Sequence, residues 1–140
     1  MTQRSLRRIL VVDDDRDVLS IVCIVLKSVG GFEAEACGMA HEAVEAARRF
    51  EPDLILLDVM MPEMDGPTVL KALRAEPRTE SIPVVFMTAK VMPNEANRYA
   101  SLGVAGVIAK PFNTRSLIER VQAIWQECSN DHTNESDPIA

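Results

Sequence analysis

The stretch Asp53-Leu54-Ile55-Leu56-Leu57-Asp58 decides the fold. Four aliphatic residues follow one another here, whereas a strand with one face in water would alternate apolar and polar residues. Both faces of the segment must therefore be covered by other parts of the chain. This pattern predicts a central strand of a parallel sheet with helices on both sides.

Short β-branched runs alternate with amphipathic helical patterns along most of the chain. In the first helical pattern, apolar residues recur every three or four positions from Val18 to Val29, and Gly30-Gly31 supplies the stop. We predict strands at residues 9–13, 32–37, 53–58, 83–88 and 106–110. We predict helices at residues 18–29, 41–50, 93–102 and 114–128, and another after Asp65-Gly66-Pro67, where a proline suits the first helical position.

Five such units predict an α/β fold, a doubly wound five-stranded parallel sheet flanked by five helices. If the strand order is 2-1-3-4-5, as in flavodoxin-like proteins, the first and third strands are neighbours. The chain has 140 residues, the size of one average domain, which excludes an enzyme with separate cofactor and substrate lobes. We assign residues 1–128 to this domain. Residues 129–140 contain three acids, no Lys or Arg, and Ile139 as their only large apolar residue, so we expect a disordered polar tail.

Charge and composition exclude several classes of protein. The formal net charge of −6 argues against a nucleic-acid surface, and no apolar run approaches the roughly 20 residues that a membrane span requires. The basic N-terminus runs directly into a predicted strand without a signal-peptide core, so we expect a cytoplasmic protein. The three cysteines lack zinc or redox spacing and are expected to be buried thiols, and neither His41 nor His132 has neighbours suited to a metal site or a catalytic triad.

Polar residues end the predicted strands at matching places. Asp13 and Asp14 end the first strand, Asp58 the third, Thr88 the fourth and Lys110 the fifth. Parallel strands share one carboxyl edge, so the three aspartates converge there if the first and third strands are neighbours. Two carboxylates about 4 Å apart repel by roughly 4 kcal/mol at an effective dielectric constant of about 20. Either the lysine or a divalent cation with oxygen ligands, Mg²⁺ or Mn²⁺ rather than zinc, can compensate this repulsion.

Each of these residues also has an ordinary structural alternative. One of the three aspartates at residues 13–15 can cap the first helix, and Asp58 can open a turn. Thr88 can be a β-branched strand residue, and Lys110 can be a solvated lysine at the sheet edge. Phosphoryl transfer, by contrast, uses carboxylates, a hard cation, a lysine and a hydroxyl together.

Four motifs carry a resemblance to a known family. In chain order they are Val11-Val12-Asp13-Asp14-Asp15, Leu56-Leu57-Asp58-Val59-Met60-Met61-Pro62-Glu63-Met64-Asp65-Gly66, Met87-Thr88-Ala89 and Lys110-Pro111-Phe112. Together, in this order and at suitable spacing, they closely resemble the receiver domain of two-component response regulators, which has a CheY-like fold. The resemblance covers about residues 7–126.

The resemblance implies a role for each matching residue in phosphoryl transfer. Asp58 matches the phosphoacceptor, which attacks the phosphohistidine of a partner kinase. Lys110 matches the lysine that pairs with the acidic pocket and then with the phosphoryl group. Thr88 matches the hydroxyl that hydrogen-bonds a phosphoryl oxygen, assisted by the backbone amide of Ala89. The resemblance further implies a cis peptide bond between Lys110 and Pro111.

The same resemblance implies a Mg²⁺ site, which Mn²⁺ can also occupy. Asp14 matches the direct ligand, and Asp13 matches the acid that acts mainly through a metal-bound water. Asp58 and the backbone carbonyl of Met60 complete the protein's share of the coordination.

Some positions depart from the family pattern. Many receivers carry an aromatic residue three positions before the conserved lysine, and this residue rotates on phosphorylation, but here the position is Val107. We therefore predict coupling to the fourth helix through Thr88 and residues 90–94. Met60 and Lys90 border the path of an attacking water, and we expect them to influence the phosphoryl lifetime.

The leading hypothesis is a stand-alone receiver, a phosphoacceptor switch rather than an enzyme. It takes a phosphoryl group from a histidine kinase or a histidine phosphotransfer protein, exists as a monomer or weak dimer, and acts through contact with another protein. A Mg²⁺-dependent aspartyl-phosphate phosphohydrolase is the alternative, although Asp58-Val59-Met60 lacks the second acid of the Asp-x-Asp pattern of such enzymes. A flavin binder is disfavoured because the first strand leads into aspartates rather than a hydroxyl- and glycine-rich phosphate loop.

Overall fold

The computed structural model describes residues 5–89 and 93–136, with the side chains of all of these except residues 93, 96 and 129–136. Strands in these residues are Arg8–Val12 (β1), Glu33–Cys37 (β2), Leu54–Asp58 (β3), Val84–Thr88 (β4) and Gly106–Ala109 (β5). The α-helices are Arg16–Ser28 (α1), Ala43–Phe50 (α2), Gly66–Ala75 (α3), Pro93–Ser101 (α4) and Thr114–Ser136 (α5), and a 3₁₀ turn, Ala40–Glu42, precedes α2.

The five strands form one parallel sheet in the order β2-β1-β3-β4-β5. The register aligns Leu10 of β1 with Ile55 of β3, and Leu57 of β3 with Phe86 of β4. The predicted strand order and fold class are therefore confirmed. Because β1 and β3 are neighbours, the residues at their carboxyl ends share one crevice.

Apolar cores lie on both faces of the sheet. β3 and β4 are buried at every position, which explains why their sequences do not alternate. One core joins the sheet to α1 and α5, and the other joins it to α2, α3 and the buried Tyr99 of α4. The sheet is therefore packed against helices on both faces, and the site residues lie at the carboxyl ends of its packed strands.

Both ends of α1 follow from its sequence. The side chain of Asp15 accepts hydrogen bonds from the backbone N–H groups of Asp17 and Val18 at 2.9 and 3.3 Å, which starts α1. One of the three consecutive aspartates is thus a helix cap, as the sequence predicted. At the other end of α1, Gly31 has a φ of +75°, a conformation that favours glycine and lets the chain turn into β2.

The helix bounds lie within two residues of those predicted from the sequence, except at the end of α5. The helix predicted from residue 41 begins as the 3₁₀ turn, and α2 itself starts at Ala43. The last helix continues to Ser136 instead of ending at Cys128, so residues 129–136 of the predicted polar tail are helical. Pro138 is the first proline after the start of α5, and the intervening polar residues contain no glycine to stop the helix. The division into a domain over residues 1–128 and a tail stays a prediction.

The cysteines are free thiols in different environments. Cys37 is buried, whereas Cys23 and Cys128 are half-buried, so the expected burial holds for one of the three. None of the helices in the described residues combines the length and apolar character needed to cross a membrane.

Candidate functional site

Two buried aspartates lie next to each other at the carboxyl edge of the sheet. Asp13 follows β1 directly, and Asp58 is the last residue of the neighbouring β3. Asp13 is completely buried and Asp58 is 5% exposed, whereas Asp14 is exposed. Carboxylate oxygens of all three residues lie within 4.8 Å of one another. The sheet thus brings the three aspartates together, as its strand order requires.

Backbone hydrogen bonds fix Asp13 in the crevice. Its N–H group donates to the carbonyl oxygen of Cys37 at 3.1 Å, which extends the pairing of β1 with β2 by one residue. Its carboxylate oxygen Oδ1 accepts from the N–H group of Asp15 at 3.0 Å. The carboxylate is therefore oriented before any ligand binds.

Lys110 enters the same crevice from beyond β5. Its ammonium nitrogen Nζ lies 2.8 Å from Oδ2 of Asp13 and 3.2 Å from Oδ1 of Asp58. Its backbone N–H donates to the carbonyl oxygen of Thr88 at 2.9 Å, and the peptide bond to Pro111 is cis, as the resemblance implied. The lysine is the positive group that the convergence of carboxylates requires.

Burial and charge shift the proton affinities of this cluster. Burial raises the pKa of Asp58 to about 6, and the charge of Asp13 adds to the rise, while Lys110 and the backbone amide of Met60 oppose it. Burial lowers the pKa of Lys110, but its hydrogen bonds and charge interactions with the two aspartates outweigh this effect and leave the pKa raised. The lysine therefore stays charged, whereas Asp58 gives up its proton less readily than an ordinary aspartate.

Thr88 and Ala89 lie at the same edge of the sheet. Asp58 is paired with Met87 of β4, so Thr88 stands one residue beyond it along the neighbouring strand. Thr88 is 1% exposed, and the Ala89 that follows is exposed. The Thr88 hydroxyl and the Ala89 amide thus belong to the carboxyl end of β4.

Comparison with known proteins identifies the family. The sequence profile of the response regulator receiver domain matches residues 9–122. The chain belongs to this family. It is the receiver domain of a response regulator in two-component signalling.

Relatives and solved structures agree with this assignment. The chain is 38% identical over 117 residues to the DNA-binding response regulator MtrA of Mycobacterium tuberculosis, a match that covers 84% of the chain and 50% of MtrA. It is 37% identical over 123 residues to the phosphate regulon transcriptional regulatory protein PhoB of Escherichia coli, which covers 88% of the chain and 53% of PhoB. The chain therefore spans about half the length of these relatives.

Structures of similar proteins have the same fold. The chemotaxis protein CheY4 of Vibrio cholerae superposes with a TM-score of 0.79 at 28% identity, covering 86% of the chain and 99% of CheY4. A response regulator from Desulfuromonas acetoxidans gives a TM-score of 0.77 at 32% identity, covering 86% of the chain and 97% of that protein.

The donor atoms of this receiver domain suit a hard divalent cation. Asp13, Asp14 and Asp58 supply oxygen atoms only, which Mg²⁺ and Mn²⁺ prefer and which zinc sites in proteins seldom use alone. Their spacing of up to 4.8 Å is close to the span of about 4 Å between opposite ligands of Mg²⁺. Small side-chain rotations or a bridging water can therefore complete such a site.

Gly66 supports the site in a way that the sequence did not reveal. Its N–H group donates to the carbonyl oxygen of Val59 at 2.8 Å, which closes the loop after β3. A Cβ atom at Gly66 would lie 2.9 Å from Cα of Val59 and 3.0 Å from the carbonyl oxygen of Asp58. The sequence predicted only a helix start at Asp65-Gly66-Pro67, because the residue pattern does not show which backbone atoms of a loop approach one another.

Val107, which departs from the family pattern, and the two positions expected to influence the phosphoryl lifetime are placed as follows. Val107 is half-buried and paired with Phe86 of β4, and the side chain of Met60 is 60% exposed beside the acidic cluster. Lys90 lies outside the described residues, as does most of the loop at residues 90–94 through which we predicted coupling.

Proposed function

We propose that Asp58 accepts a phosphoryl group from a phosphohistidine in a reaction that depends on Mg²⁺. Support comes from one arrangement above all: a buried carboxylate with a raised pKa, next to two further aspartates and within 3.2 Å of a lysine. Charge that develops on phosphoryl oxygens must be neutralised in place, and this crevice holds the groups to do so.

The transfer step is a displacement at phosphorus. A carboxylate oxygen of Asp58 forms the new bond to phosphorus while the bond between phosphorus and the imidazole nitrogen of the donor breaks, and the imidazole keeps that electron pair. Lys110 then moves part of its interaction from Asp13 to a phosphoryl oxygen. The Thr88 hydroxyl and the Ala89 amide donate hydrogen bonds to the remaining oxygens.

Four groups of the chain are assigned to the cation. They are the carboxylates of Asp13, Asp14 and Asp58 and the backbone carbonyl of Met60. Bound Mg²⁺, or Mn²⁺ in its place, supplies positive charge to the phosphoryl oxygens. The carboxylates hold the cation beside the nucleophile, and Asp13 at the same time fixes Lys110 through their 2.8 Å contact.

Membership of the receiver family implies a histidine kinase or a histidine phosphotransfer protein as phosphoryl donor. We assign this chain a switching role and not turnover of a free substrate, in the cytoplasm and as a monomer or weak dimer. We further propose output by contact with another protein, without a nucleic-acid or membrane surface on this domain. The net charge of −6 supports this choice, because nucleic acids and most membrane surfaces are anionic.

The decisive experiment is intact-mass measurement after incubation with acetyl phosphate, with Mg²⁺ and with excess EDTA. The wild-type protein should gain one phosphoryl group only with Mg²⁺, and Asp58→Asn should gain none. Asp17→Asn is the matched control, because Asp17 is an exposed acid at the start of α1 near the same edge of the sheet and should leave the adduct unchanged.

Other outcomes would contradict the proposal. An adduct that persists in Asp58→Asn would show that another residue is the nucleophile. An adduct that forms equally in EDTA would show that the reaction needs no divalent cation. Multiple turnovers of a simple phosphomonoester, measured as released phosphate, would favour the phosphohydrolase alternative.

A further inference from the structure

Tyr99 is the buried residue among the α4 side chains that the structure describes, at 5% exposure. Its neighbours Arg98 and Ala100 are exposed. The position of α4 against the sheet therefore depends on what Tyr99 contacts.

Tyr99 packs against Phe86 of β4. The two ring centroids are 5.1 Å apart and the ring planes are at 87°, an edge-to-face contact. Phe86 is completely buried and is paired with Val107 of β5, whose small side chain cannot make an aromatic contact with it. Edge-to-face pairs have a preferred geometry, so a displaced Phe86 ring requires Tyr99 to repack.

Phe86 also lies beside Gly66 in the loop that follows Asp58. A Cβ atom placed on Gly66 would lie 3.5 Å from Cε1 of Phe86 and 3.0 Å from the carbonyl oxygen of Asp58. The Phe86 ring and the backbone of Asp58 thus approach the same glycine. Phe86 and Thr88 are two residues apart on β4, so their side chains point to the same face of the sheet.

The charge of α4 also acts on the loop after β3. Hydrogen bonds from Thr68 lower the pKa of Asp65, the cap of α3, and the charge of Arg98 on α4 lowers it further. Asp65 directly precedes Gly66. The charge of Arg98 on α4 therefore acts on the residue next to Gly66.

We propose that the Phe86–Tyr99 pair transmits the state of the acidic site to α4. A phosphoryl group on Asp58 shifts the backbone at Asp58 and Gly66 and draws Thr88 towards it. The Phe86 ring moves with them, Tyr99 repacks, and α4 changes its position on the sheet. This inference rests on the proposed phosphorylation of Asp58. In this chain Tyr99 of α4 takes the role that an aromatic residue on β5, at the position of Val107, has in many receivers.

Tyr99 is the only tyrosine in the chain, so a ring-labelled tyrosine gives a single set of signals. We would add Mg²⁺ and acetyl phosphate to the full chain with ¹³C-labelled tyrosine and record ring spectra, α4 amide exchange and intact mass on the same sample. With the adduct present, the tyrosine signal should shift and α4 exchange should change by about fivefold or more.

Variants separate the aromatic contact from simple anchoring. Tyr99→Leu keeps an apolar anchor but loses the ring, so the adduct should form as before while the change in α4 exchange falls below about twofold. Tyr99→Phe keeps the ring and should retain the full response. Leu102→Ala, at a side chain 41% exposed just after α4, should also retain it.

These measurements distinguish the proposed phosphorylation of Asp58 from the proposed transmission through Phe86 and Tyr99. An adduct with an unchanged tyrosine signal and unchanged α4 exchange would overturn the transmission and leave phosphorylation standing. A full α4 response in Tyr99→Leu would overturn it as well. Absence of an adduct in the mass spectrum would overturn the proposed function, and the transmission with it.

Discussion

The ammonium group of Lys110 donates a 2.8 Å hydrogen bond to Oδ2 of Asp13, a residue 97 positions earlier in the chain. The same group lies 3.2 Å from Oδ1 of Asp58. One lysine thus offsets the repulsion between two buried carboxylates that the strand order forces together. Replacing the lysine with an uncharged residue would therefore leave two buried carboxylates uncompensated and destabilise the folded protein.

Replacing Lys110 with methionine should destabilise the protein in the absence of divalent cations. We expect a loss of about 2 kcal/mol at pH 7.5, below the roughly 3–5 kcal/mol for a fully buried pair, because 20% of the Lys110 side chain is exposed. Urea unfolding in EDTA measures this loss, and Lys71→Ala, at an exposed position of α3, is the control. Equal stability of Lys110→Met and wild type would show that the carboxylates need no internal cation.

Asp58→Asn should stabilise the protein in EDTA, and the gain should depend on pH. The folded-state pKa of about 6 lies above the ordinary value of 3.8, so the folded protein binds this proton more tightly than the unfolded chain does. Wild-type stability therefore falls as pH rises from 3.8 through about 6. At pH 7.5 the variant should be more stable by about 1 to 3 kcal/mol, and near pH 4 by much less.

Urea unfolding of both proteins between pH 4 and pH 8 measures this difference. Glu80→Gln is the control, because it removes an acid from an exposed position outside the cluster. A stability difference between Asp58→Asn and wild type that stays constant over the whole range would contradict a raised pKa at Asp58.

Much of the fold follows from local sequence. The uninterrupted apolar residues of β3 predict a two-sided sheet, and the strand order then brings Asp13 and Asp58 to one crevice. The helix ends were harder to predict because they depend on groups far away in sequence. The 3₁₀ turn before α2, for example, has amides that face Glu63, a residue of the loop after β3.

The support of the site could not be predicted from the sequence. Gly66 packs against the Asp58 backbone, and Tyr99 packs against Phe86. The spacing of residues in the sequence indicates neither contact. Periodicity shows which face of an element is buried, but it does not show which residue of another element it meets.

Gly66→Ala should disturb the loop that carries Asp58. The new Cβ would lie 2.9 Å from Cα of Val59 and 3.0 Å from the carbonyl oxygen of Asp58, and both are backbone atoms that cannot rotate away. We expect a loss of about 1 to 3 kcal/mol in stability, and a rate of phosphorylation by acetyl phosphate about 10²-fold lower if Asp58 shifts by about 1 Å. Urea unfolding and time-resolved intact mass measure the two effects.

Gly38→Ala is the matched control for Gly66. A Cβ at Gly38 would meet the Leu19 side chain at 3.5 Å, an ordinary contact, and Gly38 lies close to the same sheet edge. This variant should unfold and react like the wild type. If Gly66→Ala behaved like Gly38→Ala, the close approach at Gly66 would have no role in holding Asp58.

A pH-dependent contact joins the loop after β3 to the start of α2. The ring nitrogen Nδ1 of His41 lies 2.8 Å from Oε2 of Glu63. The hydrogen bond and charge of Glu63 raise the pKa of His41 above its ordinary 6.5, and the hydrogen bond from His41 lowers the pKa of Glu63 below its ordinary 4.5. The His41 contribution is complete below pH 6.5 and is lost as pH rises through the raised pKa, whereas the Glu63 contribution is present above pH 4.5 and is lost as pH falls through the lowered one.

The contact should therefore be strongest between about pH 4.5 and pH 6.5, and it should weaken as pH rises through the raised pKa of His41. Histidine ring NMR titration measures that pKa directly, and the second histidine of the chain is removed by His132→Asn to assign the signals. Glu63→Gln should bring the His41 pKa down towards its ordinary value, because Glu63 raises that pKa more than Glu42 does and its replacement is neutral. Glu42→Gln should change it little, since Oε2 of Glu42 is 4.0 Å from the ring. A His41 pKa that is unchanged in Glu63→Gln would mean that the two side chains do not pair in solution, and that the loop after β3 is held by its backbone contacts alone.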